Sequence, residues 1–141
     1  MKRLAALCAV AVALAGCGGG GGGQPPGPPA SLPLPGAAPV PTSELTSAAS
    51  QMCAIVAQSH QSPGTVLQPF YAGPHNALHL LAAVAHAKHP AQANQLLQVM
   101  LTYEQAIADH PPPPQTGADA DALQQAVGSA LAALGVPPPS C

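Results

Sequence analysis

The sequence predicts an all-α protein whose residues 42–141 form a small four-helix bundle. Alanine is abundant and period-two alternation of β-branched residues is rare, which favours helices over strands. Apolar residues instead recur every three or four positions along four segments, and stretches rich in proline or glycine separate those segments. Amphipathic helices joined by short connections are typical of a helical bundle.

The first helix is expected to begin at Thr42 or Ser43, since either residue is a good N-cap. It should end near Ser59, before a Ser-Pro-Gly sequence. Its apolar stripe comprises Leu45, Ala49, Met52 and Val56. Residues 63–73 are predicted to form a packed loop with one helical turn at most, from which Phe70 fills the core.

The three later helices are delimited by the same signals. The second begins at Pro74, where a missing N–H costs nothing, and runs to about His89. The third covers residues 90–109 and the fourth begins near Thr116. Gly135, followed by a valine, predicts a Schellman motif at the end of the fourth helix.

Residues 1–16 have the features of a secretory signal peptide. Lys2 and Arg3 give a basic start, and residues 4–15 form an uncharged apolar stretch. As a helix this stretch would rise only about 18 Å, whereas the hydrocarbon core of a bilayer is about 30 Å thick. The segment is therefore predicted to direct export rather than to span the membrane.

The signal segment ends in Leu14-Ala15-Gly16-Cys17, which resembles the lipobox of bacterial prolipoproteins. The resemblance implies cleavage before Cys17, a diacylglyceryl thioether on its sulfur, and acylation, for example with palmitate, of the new amino terminus. Two or three acyl chains hold a protein stably at a membrane, whereas one holds it marginally. The expected location is the extracytoplasmic side of the cell membrane. An ordinary signal peptide followed by a chance cysteine is the alternative.

Residues 17–41 are predicted to be a disordered tether. Gly18 to Gly23 form a flexible hinge, and eight of the eighteen residues from 24 to 41 are proline, which favours an extended polyproline II spacer. Such a tether holds a folded domain clear of the membrane surface. A proline motif that docks into a partner's groove is the alternative interpretation.

Charge excludes one class of partner. Removal of Lys2 and Arg3 with the signal peptide changes the formal net charge from −2 to −4 and leaves Lys88 as the only lysine or arginine. Nucleic-acid binding needs a basic surface, and docking on anionic lipid needs a basic cluster. We therefore expect membrane contact through the lipid anchor alone and no nucleic-acid partner.

The cysteines predict one disulfide. If Cys8 leaves with the signal peptide and Cys17 carries lipid, only Cys53 and Cys141 remain, in an oxidising compartment. A bond between them would close a loop of nearly the whole domain and contribute about 4–5 kcal/mol in the chain-entropy description. Two separate buried thiols are the alternative.

Four of the six histidines, His75, His79, His86 and His89, fall within an arc of about 80° on the predicted second helix. The pair His75/His79 and the pair His86/His89 can each reach one metal ion, but each pair needs further ligands from elsewhere. The alternative is a solvated polar face, because the chain uses few other charged residues.

Tyr71 and His75, together with the sequence HPAQAN at 89–94 and two cysteines that bracket a helical domain, carry a second resemblance. In these features the chain is similar to small secreted haem-binding domains of the bacterial haemophore type. The resemblance implies that Tyr71 and His75 are ligands of a haem iron.

The sequence does not predict an enzyme. It contains neither a Gly-x-Ser-x-Gly nucleophile elbow nor a Gly-rich phosphate loop followed by lysine, and its carboxylates are sparse. The predicted function is that of a lipid-anchored structural or interaction module with an unidentified protein partner in the cell envelope. The alternative function is binding of a metal ion or haem.

Overall fold

The computed structural model describes residues 27–141, so the predicted signal peptide, Cys17 and the glycine hinge lie outside the described residues. The described chain is all-α, as predicted. It contains helices α1 (Thr42–Gln61), α2 (Leu67–Ala72), α3 (His75–His86), α4 (Pro90–Ala108) and α5 (Thr116–Ala133). A 3₁₀ turn, Pro63–Thr65, precedes α2, and a two-stranded antiparallel sheet, β1 (Ser31–Leu32) with β2 (Val40–Pro41), precedes α1.

The four long helices form the bundle. α5 packs against α4 and α1, and α3 packs against α4 and α1 and touches α5. Most buried side chains lie on the faces that the three- to four-residue apolar spacing predicts, and they are mostly small or aliphatic. They include Leu45, Ala49 and Met52 on α1, Leu78 and Leu81 on α3, Leu96, Met100 and Ile107 on α4, and Leu123 and Val127 on α5. On α1, Ile55 is buried, whereas Val56 of the predicted stripe is only partly buried.

The segment predicted to be a loop with one turn contains the short helix α2. Its Phe70 is fully buried, as predicted, and meets the ring of Tyr103 edge to face at 5.1 Å. Gly73 ends this helix, and its backbone N–H donates to the Pro69 carbonyl. α2 therefore packs against α1, α3 and α4 immediately before α3 begins.

The structure differs from the sequence prediction at the end of the tether. Leu32 and Val40 are buried against the bundle, so the β1–β2 hairpin belongs to the folded unit. α1 begins at Thr42, but the Thr42 hydroxyl donates to the Pro29 carbonyl instead of capping the helix. The burial of Leu32 and Val40 against the bundle stabilises this segment more than an extended, solvated conformation would.

The ends of the later helices are defined by local backbone geometry. Gly135 has a φ of +73°, its N–H donates to the Ala132 carbonyl, and the Val136 N–H donates to the Leu131 carbonyl. This is the predicted Schellman motif. α3, by contrast, ends at His86, so the placement of His89 on the second helix was wrong. His89 lies at the N-cap of α4 because Pro90 disfavours helical geometry in the residue before it.

Cys53 and Cys141 form the predicted disulfide, with their Cα atoms 5.4 Å apart. The bond joins the middle of α1 to the last residue of the chain and closes a loop with a sequence separation of 88. The C-terminal proline-rich tail is thereby held against the bundle.

Candidate metal centre

Three potential metal ligands converge where the start of α3 lies beside the later part of α4. His75 Nε2 lies 2.9 Å from Glu104 Oε1 and 3.2 Å from His79 Nε2. The three ligand atoms all lie within 4.8 Å of one another. Two imidazole nitrogens and one carboxylate oxygen therefore face a single point.

The helical repeat explains why these side chains meet. His75 and His79 are four residues apart, which places them on the same face of α3, while Leu78 points into the core. On α4, Tyr103 is buried and its neighbour Glu104 lies at the edge of the same interface. Packing of α3 on α4 then brings the carboxylate beside the two rings.

Aromatic side chains from α2 surround the His75 ring. The centroid of the Tyr71 ring lies 4.6 Å from that of His75, and the buried Phe70 ring meets His75 edge to face at 5.5 Å. His75 and Glu104 are both largely buried, with 18% and 20% of their side-chain surface exposed, whereas His79 is exposed. The site therefore has a packed inner side, formed by His75 and Glu104, and an accessible outer side, formed by His79.

Two tyrosines beside the cluster have shifted pKa values. Burial raises the pKa of Tyr71 above its usual value of 10.0, and the negative charge of Glu104 adds to the rise. Burial also raises the pKa of Tyr103. Both phenols are therefore neutral at physiological pH.

Two of the three separations between the ligand atoms are close to those found around a bound zinc ion. Ligand atoms around a tetrahedral Zn²⁺, with bonds of about 2.0–2.1 Å, lie about 3.3 Å apart. The observed separations of 2.9 Å and 3.2 Å are near this value. Imidazole nitrogens suit Zn²⁺, Cu²⁺, Ni²⁺ and Fe²⁺, and three protein ligands leave at least one coordination position open.

The two predicted histidine pairs have different surroundings in the structure. The predicted His75/His79 pair is brought together, whereas the His86/His89 pair contributes to no such group in the described residues. His86 is exposed at the end of α3, and His89 lies beyond it. Glu104 was not predicted, because its position beside His75 results from helix packing, for which the sequence carries no local signal.

Tyr71 and His75, the residues that the haemophore resemblance implies, are also brought together. They lie on separate helices, α2 and α3, on either side of Gly73-Pro74, with their ring centroids 4.6 Å apart. The Nε2 atom of His75 faces Glu104 and His79.

In the described part of the chain, none of the helices is both long enough and apolar enough to cross a membrane. No family model, curated protein or solved structure matches the sequence.

Proposed function

We propose that this chain is an extracytoplasmic, lipid-anchored protein whose helical domain binds a divalent transition-metal ion such as Zn²⁺. The observation that carries the proposal is the convergence of His75 Nε2, His79 Nε2 and Glu104 Oε1 within 4.8 Å. Binding through three side chains held by two packed helices is the function that this geometry supports best.

The donor set favours a transition metal over a harder cation. Ca²⁺ and Mg²⁺ prefer oxygen ligands, and this cluster supplies two nitrogens and a single carboxylate. His75 is fixed by its aromatic neighbours, so little conformational freedom is lost when it ligates. Glu104 accepts a hydrogen bond from His75 Nε2. Binding of an ion at Nε2 would require the proton to leave this atom, and Nδ1, 3.3 Å from Asn76 Oδ1, would carry it instead.

The proposed anchor rests on the sequence. Leu14-Ala15-Gly16-Cys17 ends an apolar signal segment, and the disulfide between Cys53 and Cys141 agrees with an oxidising compartment. Anchoring would confine the metal site to the volume near the membrane surface. The predicted interaction module is compatible with this role, since a tethered binding domain can pass its ion to a neighbouring envelope protein.

Haem is a second candidate ligand, favoured by the contact between Tyr71 and His75. Leu97 and Leu101 on α4 are large apolar side chains that stay exposed, and they precede Glu104 on the same helical stripe. A flat apolar ligand would cover them. Titration with haemin distinguishes the two candidates. Haem bound at Tyr71 and His75 should give a Soret band, and the substitution Tyr71→Phe should remove that band.

The metal proposal is tested by titrating the full chain carrying Cys17→Ser, which cannot be acylated, with Zn²⁺ in a calorimeter and with Co²⁺ in a spectrophotometer. We expect one ion per chain and the visible absorption of Co²⁺ with nitrogen and oxygen ligands. His79→Ala and Glu104→Gln should each weaken binding about tenfold or more, the effect of losing about 1.4 kcal/mol.

His86→Ala is the matched control, because His86 lies on the same helix and is exposed outside the cluster. Its affinity should equal that of the parent chain. Equal losses in His79→Ala and His86→Ala would show that Zn²⁺ binds exposed histidines without the cluster, and that result would refute the proposal.

A further inference from the structure

A cavity of about 150 Å³ lies away from the His75–His79–Glu104 cluster. Its walls come from β1, from Val84 in α3 and the residues that follow α3, and from the C-terminal end of α5. His79 of the cluster and Val84 of the cavity are five residues apart on α3, about 7.5 Å along the helix axis and on different faces of the helix. The two sites are therefore separate and can be tested independently.

The cavity has an apolar interior surface. Leu32 and Val84 are buried, Leu134 is partly buried, and all three line it. A cavity of similar volume lined by leucine, isoleucine and phenylalanine is known to hold benzene. The space therefore fits a compact apolar group of about six carbons.

The rim of the cavity is basic. Lys88 is the only lysine or arginine after Arg3, and it lines this cavity together with His89. None of the carboxylates of the chain lines it. In the part of the chain that the structure describes, the two ion pairs belong to His60 and His75, so neither of them neutralises Lys88.

The backbone holds this basic rim in place. The N–H groups of Lys88 and His89 both donate to the Ala85 carbonyl, at 3.2 Å and 2.7 Å, and His89 then begins α4. The β1–β2 hairpin closes the opposite side, with Leu32 buried. The backbone of Lys88 is thus fixed next to an apolar space, and its exposed side chain carries the cation in a chain that is otherwise acidic.

We propose that this cavity binds a small carboxylate with a compact apolar body, of the size of hexanoate or benzoate. The apolar body would lie against Leu32, Val84 and Leu134, and the carboxylate would pair with Lys88 at the rim. Apolar burial supplies the affinity, and the ammonium group selects the anion over the corresponding alcohol. The proposal does not depend on the metal site.

The test uses the isotope-labelled full chain with Cys17→Ser, titrated with hexanoate and separately with hexanol while backbone amide shifts are recorded. We expect saturable shifts at Val84, Ala87 and Leu134, with hexanoate a few-fold tighter than hexanol, the ratio given by an ion pair with an exposed lysine. This comparison uses the unaltered cavity and so does not depend on how a variant folds.

Lys88→Gln should weaken hexanoate binding a few-fold and leave hexanol unchanged, while Lys88→Arg should retain most of the affinity. Ala133→Leu, which fills the cavity, should weaken both ligands. The proposal is overturned if hexanoate causes no saturable shifts around the cavity, if hexanol binds equally well, or if a correctly folded Lys88→Gln variant binds hexanoate like the parent chain.

Discussion

The side-chain hydroxyls of Ser59 on α1 and Tyr103 on α4 lie 2.8 Å apart within the core and share a hydrogen bond. Both residues are buried, and the Ser59 hydroxyl is also 2.8 Å from the Ile55 carbonyl, to which it donates. Tyr103 therefore donates to Ser59. This polar link crosses a core whose other buried side chains are mostly apolar.

The two ends of this hydrogen bond should respond unequally to mutation. Ser59→Ala leaves the buried Tyr103 hydroxyl without its partner and should cost about 1–3 kcal/mol of unfolding free energy. Tyr103→Phe removes that hydroxyl, while Ser59 keeps Ile55 as its acceptor, so the cost should be about 0.5–1.5 kcal/mol.

Denaturant unfolding of both single variants and of the double variant measures this asymmetry. In the Tyr103→Phe background, Ser59→Ala should cost clearly less than it does alone, because no hydroxyl is left without a partner. Strictly additive losses would contradict the assignment of the donor.

Gly117, in the first turn of α5, should be held as glycine by a single neighbour. A Cβ atom at this position would lie 2.5 Å from His60 Nδ1, and the same ring contacts Asp121 through Nε2 at 3.0 Å. Gly117→Ala alone should be neutral or destabilising, because the ring must move and lose this exposed ion pair. In a His60→Ala background the same change should stabilise the protein by about 0.5–1 kcal/mol, the usual gain of alanine over glycine in a helix.

Thermal unfolding of the four proteins in this cycle is the measurement. If Gly117→Ala stabilised the parent and the His60→Ala variant equally, the His60 ring would move aside without any loss of stability, which would contradict this expectation.

The disulfide should be the largest single contribution to stability. Replacing both Cys53 and Cys141 by serine opens a loop with a sequence separation of 88, which corresponds to a loss of about 4–5 kcal/mol in the chain-entropy description. This loss approaches the whole stability of a small domain. Urea unfolding of the double variant and of the parent under reducing conditions should give similar midpoints, and a parent that is unaffected by reduction would contradict this expectation.

Features of this fold that depend on local sequence patterns are predictable, whereas several that depend on tertiary contacts are not. Hydrophobic periodicity predicts the buried faces of the long helices, and Phe70 was expected in the core. A single glycine predicts the Schellman motif at Gly135, and the number of cysteines predicts the disulfide. The hairpin around Leu32 was missed because proline-rich sequence favours a spacer, and burial outweighs that preference.

The candidate site shows the same division. The i,i+4 spacing of His75 and His79 is visible in the sequence, whereas the approach of Glu104 from another helix is not. Because α3 ends at His86, His89 does not lie on the predicted histidine face. A helix boundary moved by three residues thus changes which side chains can share a ligand.

The chemical state of Cys17 should reveal the proposed anchor. In membranes of a bacterial host, the mature chain should begin at Cys17 and carry a mass increase equal to a diacylglyceryl group plus one amide-linked acyl chain. Mass spectrometry of the N-terminal peptide measures this directly. The Cys17→Ser chain should lack the modification, and an unmodified Cys17 in the parent chain would refute the anchor.

Phe70 should affect metal binding without touching the metal. Its ring packs edge to face against His75 at 5.5 Å and against Tyr103 at 5.1 Å, so it fixes the orientation of the His75 imidazole. Groups that orient a ligand typically contribute about tenfold or more to metal affinity. Phe70→Leu should therefore weaken Zn²⁺ binding several-fold in addition to destabilising the fold.

A core truncation away from the cluster separates these two effects. Val127→Ala removes buried volume from α5, which contributes none of the three ligands, and should lower stability while leaving the Zn²⁺ dissociation constant unchanged. Calorimetric titration of both variants well below their unfolding temperatures compares folded proteins. If Val127→Ala weakened Zn²⁺ binding as much as Phe70→Leu, general loosening of the bundle would account for the loss and Phe70 would have no positioning role.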